Sequence, residues 1–549
     1  MIPESIEKSA SAWLSQDPDP RTRGLLEGLV ARGRASDAEA LAELEDAFAS
    51  RLQFGTAGLR GAMGPGPNRM NRIVVIQAAA GLARWLIGAG HPQARVLVGY
   101  DARHMSAEFA RDTAEVLAGM GLRPILTATP VPTPLVPFGI GHLDCVAGVV
   151  VTASHNPAAD NGYKVYVGGS QIIPPTDGEI AACIDHVARR DLAEIPRSAQ
   201  YETVGESLVD AYVERAASLY PPDAPRNLSW VYTAMHGVGA STVQRVLHAI
   251  GFEAPQMVAE QSLPDPDFPT VAFPNPEEPG AMDLAIARAR QAGADLVVAN
   301  DPDADRCAVA IPTDSGWRVL TGDELGWLLA GQALDEGRQG TYACSVVSST
   351  LLGDMASSAG MPFATTLTGF KWIGRVPDLA FGYEEAIGYC TDPRSVADKD
   401  GITALVRILQ LGASLKSQGI TVSDKLDQLA QRFGVHITSQ LSFRVSDLSQ
   451  ISDAMQHLRA HLPQQLAGES VTAVDLLNGW NGLPPTDAVL LEGQWVRVVV
   501  RPSGTEPKLK CYLQAKLPPS DSTPTTVARR GTQQLMLQLR EEMVRVLGL

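Results

Sequence analysis

The stretch Gly148-Val149-Val150-Val151-Thr152-Ala153-Ser154-His155-Asn156-Pro157 joins a short apolar run to a polar loop that presents a serine. Residues 146–151 are Val-rich and bounded by polar punctuation, so they read as a buried strand. Pro157 and the later Asn161-Gly162 keep a helix from starting directly afterwards. Ser154 is therefore expected on a turn at the C-terminal end of a strand, where open α/β sheets place ligands. Three more loops look built to serve it: Asp301-Pro302-Asp303-Ala304-Asp305-Arg306, the segment from Gly382 to Gly388 that holds Glu384-Glu385, and Arg501-Pro502-Ser503-Gly504-Thr505-Glu506-Pro507-Lys508.

Around the serine loop the pattern is that of βαβ units. A strand at 96–100, a helix at 106–120 and a strand at 124–127 make one unit. Related units recur at 230–258 and 341–367, which predicts three similar α/β domains. The last segment alternates differently: a strand at 439–445, a helix at 447–461, two strands about the arginine loop, and a helix at 526–546. It reads as a smaller α+β domain. The expected division is 1–205, 206–314, 315–435 and 436–549. Residues 11–50 read as helical, 54–61 as a glycine-rich loop carrying Arg60, 73–89 as a helix, and the Pro-rich 262–280 as a surface excursion within the second domain.

A chain of 549 residues exceeds one core. With 45% hydrophobic and 19% charged residues it belongs with globular proteins. The net charge of −16 argues against nonspecific binding to nucleic acid or anionic membranes. Six scattered cysteines without a CxxC pair read as free thiols of a reducing compartment. The first ten residues lack a signal pattern, and the apolar 73–90 contains Gln77 and Arg84, so a cytoplasmic protein is expected.

Asp301, Asp303 and Asp305 repel one another unless a cation sits among them, and hard oxygen ligands favour Mg²⁺ or Ca²⁺. An EF-hand is excluded, because Arg306 stands where its turn glycine belongs and Pro312 where its last Glu belongs. A solvated acidic turn is the bland alternative. Arg501, Ser503, Gly504 and Thr505 combine a guanidinium fork, two hydroxyls and an exposable backbone amide, a composition suited to phosphate, with Lys508 adding charge. The Walker A spacing is absent, and an ordinary hairpin turn has the same residues. Glu384 and Glu385 suit sugar hydroxyls, although paired Glu commonly marks a solvated face. Thr368-Gly369-Phe370-Lys371 and Tyr100-Asp101-Ala102-Arg103 are as common in surface turns as in sites. Ser154 lacks a GxSxG elbow, so a hydrolase triad is a poor reading. A hydroxyl beside a metal and cationic loops is suited to carry a phosphoryl group, with His155 orienting it.

Taken together, these four loops resemble those of the α-D-phosphohexomutase superfamily, in that family's order and one per domain, from about Phe54 onward. The resemblance implies a four-domain, heart-shaped α/β molecule around a central active-site cleft, three similar mixed α/β domains being followed by a C-terminal α+β domain. It implies that Ser154 is the phosphoserine and a metal ligand, that Asp301, Asp303 and Asp305 hold Mg²⁺, and that Lys164 is the candidate general acid/base. Arg60 and Arg306 match cations near the phosphoserine. Glu384, with Glu385, matches the sugar-hydroxyl ligands. Arg501, Ser503, Gly504 and Thr505 match the grip on the non-reacting phosphate, assisted by Lys371 and Lys508. The implied partner is a small sugar phosphate, with a sugar 1,6-bisphosphate as primer.

The implied reaction moves a phosphoryl group between the C1 and C6 hydroxyls of glucose by way of phosphoserine and a bisphosphate. The segments Phe54–Gly61, Ala234–Gly239 and Tyr383–Gly388 resemble the phosphoglucomutase/phosphopentomutase branch. Many relatives carry a serine after the glutamates, where this chain has Ala386. A methyl cannot bond a sugar hydroxyl, which brings pentose and mannose phosphates into the expected range. A sugar phosphatase and a non-catalytic structural relative are the rival classes.

Overall fold

Asp-Pro punctuation at 17–20 and the Ser36-Asp37 turn divide the first fifty residues into three helices rather than one helical region. They are α1 (Glu4–Gln16), α2 (Pro20–Arg34) and α3 (Ala38–Ala49). Asp19 accepts the amide of Arg21 with Pro20 in the first turn, and Asp37 accepts the amides of Glu39 and Ala40. This computed structural model describes residues 2–55, 58–445, 449–503, 508–520 and 523–548. It divides into two units, Met1–Ala310 with Asp392–Arg407, and Ile311–Thr391 with Ile408–Leu549.

In the first unit, one sheet comprises β1 (Leu59–Ala62), β2 (Arg95–Tyr100), β3 (Arg123–Thr127), β4 (Ala147–Val151), β5 (Asp160–Val167), β6 (Ser170–Gln171) and β7 (Glu202–Val204). Its order is β1-β5-β4-β2-β3-β7, with β6 on β5. The accompanying helices are α4 (Arg72–Gly88), α5 (Ser106–Gly119), α6 (Leu135–His142), α7 (Thr176–Val187) and α8 (Glu206–Ser218). The alternation of a strand assigns the two faces. Val96, Val98, Val149 and Val151 pack with the buried residues of α4 and α5, while Leu97 and Val150 pack with Val136, Ile140 and Leu208. Helix α4 is buried nearly all round and is capped by Asn71, whose side chain accepts the amide of Val74.

The second sheet uses β8 (Trp230–Thr233), β9 (Gln256–Met257), β10 (Leu296–Ala299) and β11 (Ala308–Thr313), with α9 (Gly239–Ala249) and α10 (Asp283–Ala292) between them in sequence. The order is β12-β11-β10-β8-β9, with β12 being Gly316–Val319. The Pro-rich 262–280 is not a free surface excursion. Phe268 is buried, Thr270 bonds Gln261 and His236, and Asp267 pairs with His104.

After β12 (Gly316–Val319), the second unit carries α11 (Gly322–Asp335), β13 (Thr341–Ser345), α12 (Leu351–Ser358), β14 (Phe363–Thr366), α13 (Phe370–Ile373), β15 (Leu379–Glu384) and β16 (Gly388–Cys390). The sheet order is β14-β13-β15-β16. Helix α14 (Gly401–Ser417) begins in the first unit's share of the chain and ends in the second's. Then come α15 (Val422–Phe433), β17 (Val435–Arg444), α16 (Ser449–Ala460), β18 (Gln465–Leu466), β19 (Glu469–Ser470), β20 (Thr472–Asp475), β21 (Val489–Glu492), β22 (Val496–Pro502), β23 (Lys508–Leu517) and α17 (Thr525–Leu547). The last sheet is antiparallel, β17-β23-β22-β21-β20, and β18 pairs with β19. The expected four-domain α/β organisation is thus present: three mixed sheets and a C-terminal α+β fold. All six cysteines are free, and no helix among the described residues is long and apolar enough to cross a membrane.

The three mixed sheets share one plan. In each, two parallel neighbours flank a first strand, and an antiparallel strand closes one side: β3-β2-β4-β5, β9-β8-β10-β11 and β14-β13-β15-β16. The serine loop joins β4 to β5, the aspartate loop joins β10 to β11, and the glutamate turn joins β15 to β16. These three loops therefore occupy the same topological position.

The loop expected at 54–61 ends inside the sheet, because Leu59–Ala62 are β1, paired antiparallel to β5 with Arg60 opposite Gly162. Gly58 makes the entry possible. Its φ is +75°, and a Cβ there would lie 1.8 Å from the carbonyl oxygen of Tyr163. Gly58→Ala is expected to displace β1 and lower the first thermal unfolding transition, costing about 1–3 kcal/mol, as overpacking does. Differential scanning calorimetry measures it, and an unchanged transition would show that β1 is not seated this way.

Candidate active site

The first unit brings Ser154, Lys164 and the three aspartates together. Ser154 follows β4 and is buried, with φ of +51°, a left-handed conformation that costs a non-glycine residue roughly 1–2 kcal/mol. Its amide donates to Thr152 Oγ1 at 2.8 Å, which helps hold the turn. Its hydroxyl donates to Asp301 Oδ2 at 2.9 Å, and His155 Nδ1 lies 3.2 Å from Oγ. Burial, reinforced by Arg306 and Arg60, pushes the imidazole of His155 well below its ordinary pKa, so it stays neutral. A neutral ring beside the hydroxyl suits orientation.

Asp301, Asp303 and Asp305 are all buried, and each offers an oxygen within 4.8 Å of the others. Lys164, on β5, donates from Nζ to Asp303 Oδ2 and Asp305 Oδ2, both at 2.8 Å. Thr133 donates its hydroxyl to Asp303 Oδ2 at 2.7 Å and its amide to the Asp303 carbonyl at 2.8 Å. Lys399 Nζ stands 3.5 Å from Asp305 Oδ2. Burial opposes ionisation of Asp303, but Lys164 and Thr133 outweigh it and hold this carboxyl far below the usual range. Asp301 lacks a lysine partner of that kind. Burial, then Asp303 and Asp305, push it well above the ordinary value. Burial also opposes charge on Lys164, and Asp303 and Asp305 overcome it and raise its pKa.

The donor set fits a hard divalent cation. Asp303 Oδ1 and Asp305 Oδ1 are buried without hydrogen-bond partners, and Asp301 is turned to the serine hydroxyl. Oxygen ligands alone, in an acidic cluster that Lys164 and Lys399 only partly offset, are the chemistry that hard cations such as Mg²⁺ and Ca²⁺ take. Tight packing fixes the loop. A Cβ on Gly237 would lie 2.3 Å from Pro302, the Val238 amide donates to the Pro302 carbonyl at 2.9 Å, and the Arg306 amide donates to Asp301 Oδ1 at 3.0 Å.

Arg60 reaches the serine loop, donating to Asn156 Oδ1 at 3.3 Å. Arg306 is turned toward Glu277 of the Pro-rich segment, 3.4 Å away.

The second unit holds the other expected residues. Glu384 ends β15, and its Oε1 accepts the Gly369 amide at 2.8 Å, which ties the glutamate turn to the loop that leads into Lys371 on α13. Glu385 points elsewhere. Its Oε2 accepts from Ser345 at 3.0 Å and Ser348 at 3.1 Å, and burial with the neighbouring Asp323 raises its pKa. Arg501 lies on β22, opposite Lys510, and the Ser503 amide donates to the Lys508 carbonyl at 2.8 Å, closing the base of the arginine loop. Gly504 and Thr505 lie outside the described residues.

Sequence reasoning passed over Thr133, Lys399 and Arg103. Thr133 and Lys399 stand in no recognisable motif. Arg103 has one signal, the turn Tyr100-Asp101-Ala102-Arg103, which is as common in surface turns as in sites.

Four consecutive domain profiles of one family match the chain: phosphoglucomutase/phosphomannomutase α/β/α domain I over 51–191, domain II over 210–316, domain III over 321–433 and the C-terminal domain over 443–521. The probable phosphomannomutase of Haemophilus influenzae is 46% identical over 81% of this chain and 93% of its own length. The phosphopentomutase of Homo sapiens is 35% identical over 94% of this chain and 93% of its own. The open-form structure of pp63/parafusin, a phosphoglucomutase from Paramecium, has the same fold, with a TM-score of 0.69 at 20% identity over 91% of this chain and 96% of its own. A buried serine facing an aspartate cluster, set in this fold, defines an enzyme of the phosphosugar mutase class. The chain belongs to the phosphoglucomutase/phosphomannomutase family, within the α-D-phosphohexomutase superfamily.

A divalent cation is expected to stabilise the protein through this cluster. Stabilisation grows as RT ln(1 + [L]/Kd), about 2.7 kcal/mol at a hundredfold excess over Kd. MgCl₂ should raise the melting temperature of the wild type, and Asp303→Asn should shrink the rise. An equal rise in both proteins would remove Asp303 from the cation site.

Proposed function

We propose that this enzyme interconverts sugar 1-phosphates and their terminal-hydroxyl isomers, glucose 1-phosphate and glucose 6-phosphate first among them, through phospho-Ser154 and a bound sugar bisphosphate. The observation that carries the reading is the Ser154 hydroxyl bonded to Asp301 at the mouth of a partly unpaired aspartate cluster. The reading divides the chain into the serine domain 1–205, a metal-binding domain 206–314, a sugar-recognition domain 315–435 and a phosphate-gripping domain 436–549.

The steps follow from side-chain chemistry. The free hydroxyl of the sugar monophosphate attacks the phosphorus of phospho-Ser154. The bond from phosphorus to Ser154 Oγ breaks as the new ester forms, and the hydroxyl proton passes to Lys164, which serves as base only in its neutral form, released from Asp303 and Asp305, whose pairing raises its pKa in this structure. The resulting bisphosphate turns over. Ser154 Oγ then takes the original phosphoryl group, and the released sugar oxygen regains its proton from Lys164. Arg60 and Arg306 offset charge on the transferring group. Asp301, Asp303, Asp305 and Ser154 would hold Mg²⁺, which supplies further positive charge to the phosphoryl oxygens. Glu384 accepts from sugar hydroxyls, and Arg501, Ser503, Gly504 and Thr505, with Lys371 and Lys508, hold the phosphate that does not react. A sugar 1,6-bisphosphate primes an enzyme whose serine is empty.

A second reading, pentose phosphates as the preferred substrates, has its own support. Ala386 puts a methyl in the β15–β16 turn, and the human phosphopentomutase matches nearly the whole chain.

Phosphorus NMR of the protein with Mg²⁺, glucose 1,6-bisphosphate and glucose 1-phosphate tests the reading. Glucose 6-phosphate should form without inorganic phosphate, and Ser154→Ala should form none. Full activity in Ser154→Ala would refute the phosphoserine route. Release of inorganic phosphate alone would make the enzyme a phosphatase. Faster turnover of ribose 1-phosphate in the same assay would select the pentose reading.

A further inference from the structure

The serine loop poses a packing problem that the proposed chemistry leaves unaddressed. Between β4 and β5 the chain turns through Ser154 in a left-handed conformation, and the carbonyl oxygens of Ser154, Asn156, Pro157 and Asp160 converge on one buried point. Four converging carbonyl dipoles repel one another, and buried carbonyls require donors.

Arg103 fills that point. Its Nη2 donates to the carbonyls of Ser154 and Asn156, both at 2.6 Å, and its Nη1 donates to those of Pro157 at 2.8 Å and Asp160 at 3.3 Å. The guanidinium therefore holds both the serine end of the loop and its return into β5, the strand that carries Lys164.

The arginine is itself fixed from two sides. Asp101 Oδ2 faces its Nε at 3.4 Å, while Asp101 Oδ1 accepts the Arg103 amide at 3.0 Å and the Ser106 hydroxyl at 2.6 Å. The Asp101 amide donates to the Val151 carbonyl at 3.0 Å, which registers this turn against the end of β4. On the other side the ring of Phe268, from the Pro-rich segment, lies under the guanidinium, 4.9 Å from centroid to carbon. Phe268 is 4% exposed and holds φ of +46°, a conformation that a bulky residue rarely adopts without a packing reason.

We infer that Arg103 is a positioning residue for phosphoryl transfer: it sets the Ser154 loop in its strained conformation, and Phe268 clamps it there. This rests on the phosphoserine reading of Ser154. Lysine cannot replace it, because a single ammonium has three donors on a flexible stem and cannot span four carbonyls as the planar fork does. Arg103 touches neither the reacting atoms nor the aspartates by any bond described above, so its removal should slow transfer without weakening the grip on sugar phosphate.

The test compares wild type, Arg103→Lys and Phe268→Leu as full-length proteins. Each is incubated with Mg²⁺ and glucose 1,6-bisphosphate, and phosphorylation of Ser154 is followed by quenched-flow intact mass. Amide hydrogen exchange of residues 152–160 is measured in parallel on protein without substrate. In Arg103→Lys the charging rate should fall about 10- to 100-fold, as misplacement of a reacting group does, while KM for the sugar monophosphate stays within about threefold, the mark of a loss confined to the transition state. Phe268→Leu keeps an apolar side chain of smaller volume and loses the ring face. It should show a smaller loss of the same kind, and it serves as the sole probe if Arg103→Lys does not fold. Exchange over 152–160 should quicken in both variants. Wild-type charging rates and exchange in the variants would overturn the inference and leave the mutase reading standing. A wild type that never acquires phosphate on Ser154 would overturn the mutase reading and the catalytic role of Arg103 with it, while quickened exchange would still show the clamp on the loop.

Discussion

Three carboxylates buried within 4.8 Å of one another are the constraint on which the rest of the first unit depends. Each like-charged pair at such spacing costs roughly 3–4 kcal/mol at an effective dielectric of about 20. The fold answers in several ways. Lys164 lies across two of the carboxylates, Thr133 donates its hydroxyl to the Asp303 carboxylate, and Lys399 adds charge near Asp305. Asp301 is left with a serine hydroxyl and an amide, and oxygens of the other two remain unpaired. A cluster neutralised this incompletely is poised to take a cation beside the hydroxyl that the proposed chemistry phosphorylates.

Much of this was legible in the sequence, for identifiable reasons. Val-rich runs such as 147–151 are buried on both faces and announce themselves by composition. Alternating aspartates and a dense Arg-Ser-Gly-Thr loop announce chemistry by residue type. The shared position of the serine, aspartate and glutamate loops was not legible. It depends on each being followed by an antiparallel strand, and strand direction leaves no mark in a single sequence. β1 was hidden for a similar reason: glycines that read as loop punctuation also permit the close approach of Gly58 to Tyr163. Thr133 and Lys399 reach the aspartates only through long-range folding, so no local pattern could reveal them.

The paired glutamates show how neighbouring like residues separate in role. Glu384 and Glu385 are equivalent by composition, yet the β15–β16 turn sends them apart. Glu385 is spent on Ser345 and Ser348, where two hydroxyls make its burial tolerable. Glu384 braces Gly369 and so links the turn to Lys371.

A cation bound at the aspartate cluster would face Ser154. The most direct measurement is an anomalous difference map from crystals grown with Mn²⁺ in place of Mg²⁺. One strong peak should appear, bounded by oxygens of Asp301, Asp303 and Asp305, with Ser154 Oγ or its phosphoryl group beside it. A peak elsewhere in the molecule, or none at this cluster at saturating Mn²⁺, would contradict it.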